Sequence, residues 1–271
     1  MRQALGAIVL LSFLTLGCEN TSERPTGDAK SGASQTGGDV AKPPRKGQEG
    51  PLMVKDSAWT WAYFFAAPDK ASVAQLFGDR KKTLSFYKVE KVVAIRGEPG
   101  LDVKPGSTIV RVETAAKLPA AAEAKMPRLL LQGVPQHLQY TTKEQRDDLA
   151  KRSRAELPPS RDTVAVIIPI RKSAAWWALP HDERQAHFQK KGDKIGHTAI
   201  GAKYAERIYR KLYHTRYAVE TTDHDFITYF EFERSHTDDF KSLLQQLRDP
   251  EQNPEWRFVD REYEIWTAKT D

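Results

Sequence analysis

The chain has 271 residues, of which 39% are hydrophobic and 29% charged, with a formal net charge of +6 at pH 7. This length allows one large domain or two small ones, and the composition is that of a soluble globular protein. The basic residues are scattered among acidic ones, which argues against a nucleic-acid-binding surface, and the single cysteine excludes both an intramolecular disulfide and a cysteine-based metal site.

The N-terminal segment has the features of an exported lipoprotein. Arg2 precedes an apolar run at residues 5–16 that is too short to span a bilayer as a mature helix. The run ends in LTLGC, which resembles a bacterial lipobox with Cys18 as the lipidated residue, although the threonine departs from the favoured residue. An ordinary signal peptide with an incidental cysteine is the alternative. We expect residues 1–18 to be a lipoprotein signal peptide and Cys18 to anchor the protein to a membrane of the cell envelope, with Glu19 favouring the outer membrane, facing the periplasm.

Residues 19–50 have the composition of a disordered tether. They contain no aromatic residue, and Val40 is their only branched aliphatic residue. Such a segment cannot bury enough apolar surface to offset its loss of conformational entropy on ordering. We therefore expect a flexible connection between the lipid anchor and the folded part.

The folded part divides into an N-terminal half, residues 51–158, and a C-terminal half, residues 159–271. In the first half, β-branched and aromatic residues predict strands at 59–65, 83–95 and 108–112. Helices are expected at 71–77 and 143–157.

The second half has clearer periodicity. Continuous or alternating apolar residues predict strands at 163–170, 226–232 and 256–266. Helical spacing predicts one helix over 182–211, interrupted near Gly192, and another over 240–247. The order strand, helix, strand, helix, strand predicts an α+β fold, with helices packed on one face of a mainly antiparallel sheet.

Five segments of the second half resemble the chlorite dismutase family, in the right order and at nearly the right spacing. They read VIIPIRKSAAWW (166–177), LPHDER (179–184), RKLYH (210–214), DFITYFE (225–231) and EWRFVDRE (255–262). The resemblance implies two ferredoxin-like repeats forming a dimeric α+β barrel within one chain, one haem b in the second repeat and a ring-shaped homo-oligomer. Residues 51–135 match poorly, so we expect a degenerate first repeat.

The resemblance also implies a haem ligand. Family members place the proximal histidine thirteen residues before the arginine that opens the RKLYH segment, and here these residues are His197 and Arg210. An imidazole on a buried helix face suits a five-coordinate haem iron. His187, in a more polar stretch, is the rival ligand. The family's histidine is supported by a glutamate, for which Glu255 is our candidate and Glu251 the alternative.

The remaining site residues follow from the same resemblance. Arg210 corresponds to a distal arginine that holds a small oxyanion substrate without supplying a proton. Further positions match haem-contacting residues: Trp176 and Trp177 at the haem edge, Lys172 and Tyr140 at the propionates, and Thr228 and Phe230 on the distal strand. Both tryptophans also suit a plain role as core aromatics.

The function implied is the haem b-dependent decomposition of chlorite to chloride and dioxygen. Coproheme decarboxylases share the fold, but carry a tyrosine where this chain has Ile168 and commonly a glutamine where it has Arg210. An exported haem protein with a peroxidase-like or carrier role stays open, and so does a haem-free structural lipoprotein that has kept the fold.

Overall fold

The computed structural model describes residues 60–115, 117–118, 127–135, 144, 147, 151, 153–189, 192, 195–216 and 222–270. The predicted signal peptide, the lipid anchor at Cys18, the tether and Tyr140 lie outside these residues. None of the helices in the described ranges is long and apolar enough to cross a membrane.

Eight strands form a closed antiparallel barrel, which confirms the predicted fold class. The strands are β1 (Trp61–Ala66), β2 (Lys82–Arg96), β3 (Thr108–Thr114), β4 (Arg128–Pro135), β5 (Thr163–Lys172), β6 (Tyr209–His214), β7 (Phe226–Glu233) and β8 (Val259–Thr270). Their order around the barrel is β1-β3-β2-β8-β5-β7-β6-β4, and β4 closes the ring by pairing with β1.

Helices lie in the connections between the strands. They are α1 (Lys70–Phe77), α2 (Ala174–Ala178), α3 (His181–Ala186), α4 (His197–Ala202) and α5 (Thr237–Leu247), with 3₁₀ turns at Arg234–His236 and Pro254–Phe258. The side chain of Asp69 caps α1 by accepting a hydrogen bond from the Ser72 amide at 2.8 Å. Ile200 of α4 and Leu243 and Leu244 of α5 pack in one cluster with outward-facing residues of β5, β7 and β8.

The strand order repeats in the two halves of the barrel. The first half contributes β4-β1-β3-β2 and the second β8-β5-β7-β6, so each half has the same internal order. The connection after β3 covers residues 115–127, whereas the connection after β7 covers 234–258 and contains α5. The degeneracy expected of the first repeat stays a prediction. The boundary between residues 158 and 159 lies in the connection between β4 and β5 and stays a prediction.

Three predicted elements differ from the structure. The helix expected over 182–211 is wrong in its last part, because Tyr209–His214 is strand β6, which pairs with β7 along six residues. Residues 153–157 are not helical although they belong to the helix predicted at 143–157, and residues 256–258 form a 3₁₀ turn before β8. Pairing with a distant strand overrides a local helical pattern in β6.

The interior of the barrel has an apolar end and an ionic end. All eight strands contribute to the apolar cluster, with residues such as Phe64, Val89 and Ile265. The ionic end contains three cations and three carboxylates: Arg111, Lys211 and Lys269, and Glu113, Glu156 and Glu231. The formal charges of these six groups therefore balance.

Glu231 is the most deeply buried of these carboxylates. It accepts hydrogen bonds from Lys269 Nζ at 2.7 Å, from the Leu157 amide at 2.8 Å and from the Tyr229 hydroxyl. Its side chain is fully buried, and that of Lys269 is 4% exposed. A buried ion pair tolerates the loss of one partner poorly, because the other charge is left uncompensated.

We predict that Glu231→Gln lowers the free energy of unfolding by about 3 kcal/mol, because it removes one of the two carboxylates that neutralise Lys269. Glu233→Gln is the matched control, since Glu233 lies on the same strand and pairs with Arg154 at 2.6 Å but is half exposed. Urea unfolding measures both variants. Equal destabilisation by the two would contradict the proposed importance of the buried pair.

Candidate functional site

A pocket of about 470 Å³, partly open to solvent, lies on the outer side of the barrel. It is lined by side chains from β5, β6, β7, β8, α5 and the 3₁₀ turn Pro254–Phe258, together with the first residue of α4. Six residues singled out from the sequence are among them: Lys172, His197, Arg210, Thr228, Phe230 and Glu255. The structure thus brings together residues that are up to 83 positions apart in the chain.

Strand alternation creates one wall of the pocket. On β7, Ile227 and Tyr229 belong to the barrel interior, so Thr228 and Phe230 face outward. Arg210 on β6 and Ile168 on β5 line the same wall. The wall is apolar apart from the guanidinium of Arg210 and the hydroxyl of Thr228.

The start of α4 places His197 on the opposite wall. Gly196 precedes it with a φ of 77°, a left-handed conformation that favours glycine. A Cβ added to Gly196 would lie 2.7 Å from the carbonyl oxygen of Gln189 and 2.9 Å from that of Phe188. The Gly196 amide donates to the carbonyl of Gln252 at 3.0 Å. Gly196 therefore fixes where the helix begins and hence where His197 lies.

His197 belongs to a chain of hydrogen bonds that runs into the protein. Its Nδ1 lies 2.9 Å from Glu255 Oε2, and Glu255 Oε1 accepts from Lys172 Nζ at 2.5 Å. Glu255 and Lys172 are both buried. Burial alone would raise the pKa of Glu255, but the ammonium of Lys172 and the hydrogen bonds from Lys172 and His197 hold it well below its usual range. Glu255 is therefore a carboxylate at neutral pH.

Arg210 reaches across the pocket to the other nitrogen of His197. Its Nη2 lies 3.2 Å from His197 Nε2. A guanidinium only donates hydrogen bonds, so Nε2 is the acceptor and Nδ1 carries the proton that is donated to Glu255. Partial burial lowers the pKa of Arg210, but the residue keeps an exposed surface and stays a cation at neutral pH.

Lys172 takes a different partner from the one expected from the sequence. The prediction placed its ammonium at a haem propionate, whereas in the structure this group is buried and bonded to Glu255. The structure also distinguishes between the alternative residues that the sequence left open for the glutamate and for the histidine. Glu255 contacts His197, while Glu251 is paired with Arg257 at 2.5 Å. His187 packs against the rings of Trp176 and Phe258 and is not among the pocket-lining residues.

The two tryptophans lie beside the pocket rather than in its lining. Trp176 is buried, and Lys172 Nζ lies 5.0 Å from the centre of its ring. Trp177 stacks on Phe226 and donates from Nε1 to Asp225 Oδ2 at 3.3 Å. Both positions are compatible with a role at the edge of a bound cofactor and with the plain role of core aromatics.

Asp225 is a supporting residue that the sequence did not reveal. It is buried and also accepts from the Lys172 amide at 2.7 Å and from Arg216 at 3.1 Å. It thereby joins the end of β5, which carries Lys172, to the start of β7. Asp225 opens one of the five segments quoted above, and this position just before a strand is the only signal that the sequence offers.

Comparison with known proteins identifies relatives of this chain. The family model described as chlorite dismutase matches residues 108–268. The chlorite dismutase of Ideonella dechloratans is 33% identical over 102 residues, which are 37% of this chain and 33% of that protein. The chain therefore aligns with about a third of the length of this curated relative.

Solved structures show the same fold. The dimeric chlorite dismutase from Nitrobacter winogradskyi matches with a TM-score of 0.56 and 29% identity, covering 76% of this chain and 99% of that one. The chlorite dismutase from Candidatus Nitrospira defluvii in complex with imidazole matches with a TM-score of 0.52 and 25% identity, covering 79% and 90%.

We predict that Gly196→Ala weakens the contact between His197 and Glu255, because the new methyl group collides with two backbone carbonyls and shifts the start of α4. Gly192→Ala is the matched control. Gly192 also has a positive φ, of 60°, but an added Cβ meets no atom within 4 Å, so only the strain of about 1 kcal/mol remains. The NMR signal of the His197 Nδ1 proton should exchange faster with solvent in Gly196→Ala alone. Equal signals in the two variants would contradict this role of Gly196.

Proposed function

Because the chain belongs to the chlorite dismutase family, we propose that its pocket binds haem b and decomposes chlorite to chloride and dioxygen. The observation that carries this proposal is the geometry of His197. Its Nδ1 is held by the carboxylate of Glu255 at 2.9 Å, and its Nε2 is directed into a largely apolar pocket.

The residues present fit a haem group. An imidazole that ligates iron needs an unprotonated nitrogen facing the metal and commonly donates its other N–H to a carboxylate, which raises its basicity. His197 and Glu255 have this arrangement, with Lys172 neutralising the carboxylate from behind. Ile168, Thr228 and Phe230 would then line the wall across the pocket from His197. Since Arg210 contacts the nitrogen that would ligate iron, its guanidinium has to move away when haem binds.

When bound, the haem would supply an iron centre at which the Cl–O bond of chlorite breaks and the O–O bond of dioxygen forms. Arg210 provides the permanent positive charge that attracts and orients a small oxyanion. A guanidinium has no proton to give at neutral pH, so its contribution is electrostatic. The apolar side chains that line the pocket lower the polarity around an entering anion and thereby strengthen this attraction.

The composition of the distal wall favours chlorite over hydrogen peroxide. Peroxidase chemistry requires a base that takes a proton from the peroxide. Among the described residues that line the pocket, the two carboxylates are already bonded, Glu255 to His197 and Lys172, and Glu262 to Arg248. Chlorite is an anion at neutral pH and needs no such base. We therefore rank the peroxidase-like role second.

The structure also supports the argument against decarboxylation. Ile168 is buried and lines the pocket at the position where the resemblance to coproheme decarboxylases requires a reactive tyrosine. A hydrocarbon side chain can neither lose an electron nor take up a proton in its place.

We further propose that the chain forms a homo-oligomer, on the strength of its likeness to a dimeric relative. The proposal includes a lipid anchor at Cys18 in the cell envelope, for which the sequence of residues 1–18 is the support. Chlorite or another small oxyanion would then be consumed outside the cytoplasm.

The direct test is to supply the purified protein with haemin and to add chlorite under an oxygen electrode. We expect a ferric Soret band and rapid release of dioxygen. A Soret band without dioxygen would reject chlorite decomposition in favour of the peroxidase-like or carrier role. The absence of a Soret band after reconstitution would reject haem binding and leave the structural lipoprotein.

The ligand assignment has its own test. We predict that His197→Gly loses the Soret band of the ligated haem and that added imidazole restores it, because the free base can occupy the space of the missing side chain and ligate the iron. His187→Gly is the matched control and should keep the wild-type spectrum. Loss of the band in the control, with its retention in His197→Gly, would make His187 the ligand.

A further inference from the structure

The strand that carries Arg210 lies between β7 and β4 in the barrel. β6 pairs with β7 through six residue pairs, from Tyr209↔Glu231 to His214↔Phe226. With β4, whose described residues end at Pro135, it forms the pairs Val134↔His214 and Pro135↔Tyr213.

Side chains inside the barrel also hold β6. Lys211 and Tyr213 point into the barrel, so Arg210, which immediately precedes Lys211, points outward to the pocket. Lys211 Nζ donates to both carboxylate oxygens of Glu113, at 2.8 and 2.9 Å, and the Tyr213 hydroxyl donates to one of them at 2.5 Å. Arg210 is therefore the direct neighbour in sequence of a residue that is fixed to Glu113, and Tyr213 fixes the same strand to the same carboxylate.

Glu113 is a rigid point of attachment. It lies on β3, the strand between β1 and β2, and its backbone is paired with Ala62 on one side and Thr83 on the other. Its side chain is 15% exposed. Burial would raise its pKa, but the charge of Arg111 and the bonds from Lys211 and Tyr213 outweigh burial and lower it. The carboxylate thus stays ionised at neutral pH.

We propose that Glu113 is a positioning residue that holds β6 from across the barrel and thereby sets the place of Arg210 in the pocket. The functional part of this inference rests on the proposed role of Arg210. The attachment of Lys211 and Tyr213 to Glu113, here called the clamp, does not depend on a cofactor. No residue of the N-terminal half is among the pocket-lining residues described above. Through Glu113, this half of the chain nevertheless contributes to the site.

The clamp can be tested without haem. In Glu113→Gln, the amide hydrogens of residues 209–214 should exchange roughly tenfold faster than in the wild type, the factor that corresponds to one net hydrogen bond. Glu90→Gln is the matched control, because Glu90 also joins the first half to the second, through Arg234 at 2.6 Å, but on the surface. Unchanged exchange in β6, or an increase spread evenly over the barrel, would overturn the proposal.

The effect on Arg210 can be tested with fluoride, a small anion that binds ferric haem and accepts hydrogen bonds. Arg210→Ala should weaken fluoride binding about tenfold, and Glu113→Gln should weaken it by a similar factor while keeping the Soret band. The double variant should bind fluoride as Arg210→Ala does, because Glu113 acts through Arg210. Additive losses, or wild-type affinity in Glu113→Gln, would overturn the positioning role.

Two controls keep the outcomes distinct. If the wild-type protein fails to bind haem, the proposed function fails, and the exchange experiment alone still decides whether the clamp exists. If Glu113→Gln does not fold, Tyr213→Phe takes its place, since it removes one of the three bonds and leaves the charges intact. Wild-type exchange of β6 in Tyr213→Phe would then count against the proposal.

Discussion

The alternation of side chains along the strands of a closed barrel is the constraint on which the rest of the structure depends. Each strand presents every second residue to the interior and the others to the exterior. In β7 this rule sends Tyr229 and Glu231 to the ionic interior and Thr228 and Phe230 to the pocket. A register shift of a single residue would exchange the two sets and place charged groups in the pocket.

The pocket combines two kinds of electrostatic arrangement. On the helix side, Lys172, Glu255 and His197 form a buried series in which each polar group has a partner, so that the cost of removing the charges from water is offset by hydrogen bonds. On the strand side, Arg210 has no carboxylate partner among its described hydrogen bonds and donates to a neutral imidazole. A cation held in this way retains its attraction for an anion that enters the pocket.

The sequence predicted the elements whose pattern is local, and it missed those whose stability comes from distant partners. The apolar run of β5, the alternation of β7 and the spacing of α5 were sufficient to predict these elements. β6 was assigned to a helix because its apolar residues continue the spacing of Ile200 and Tyr204, and only its pairing with β7 makes it a strand.

The same distinction holds for the site. The resemblance to chlorite dismutases implies that His197 and Arg210 belong to one pocket, and the structure brings their side chains to 3.2 Å. The bond from Lys172 to Glu255 spans 83 positions, and the partners of Glu113 lie about 100 positions away. No local pattern encodes which partner a charged side chain will find at such separations.

The balanced charges inside the barrel have a consequence for how the chain acquires its structure. Glu113 from the first repeat is matched by Lys211 from the second, and Glu231 by Lys269 near the C-terminal end of the described chain. During synthesis, an emerging N-terminal repeat would expose β2 and β4 as open edges and would lack Lys211, the cation that is bonded to Glu113. Neither repeat is therefore a complete folding unit, and the barrel closes only after the ribosome has released β8, through contacts of high sequence separation that make such folding slow.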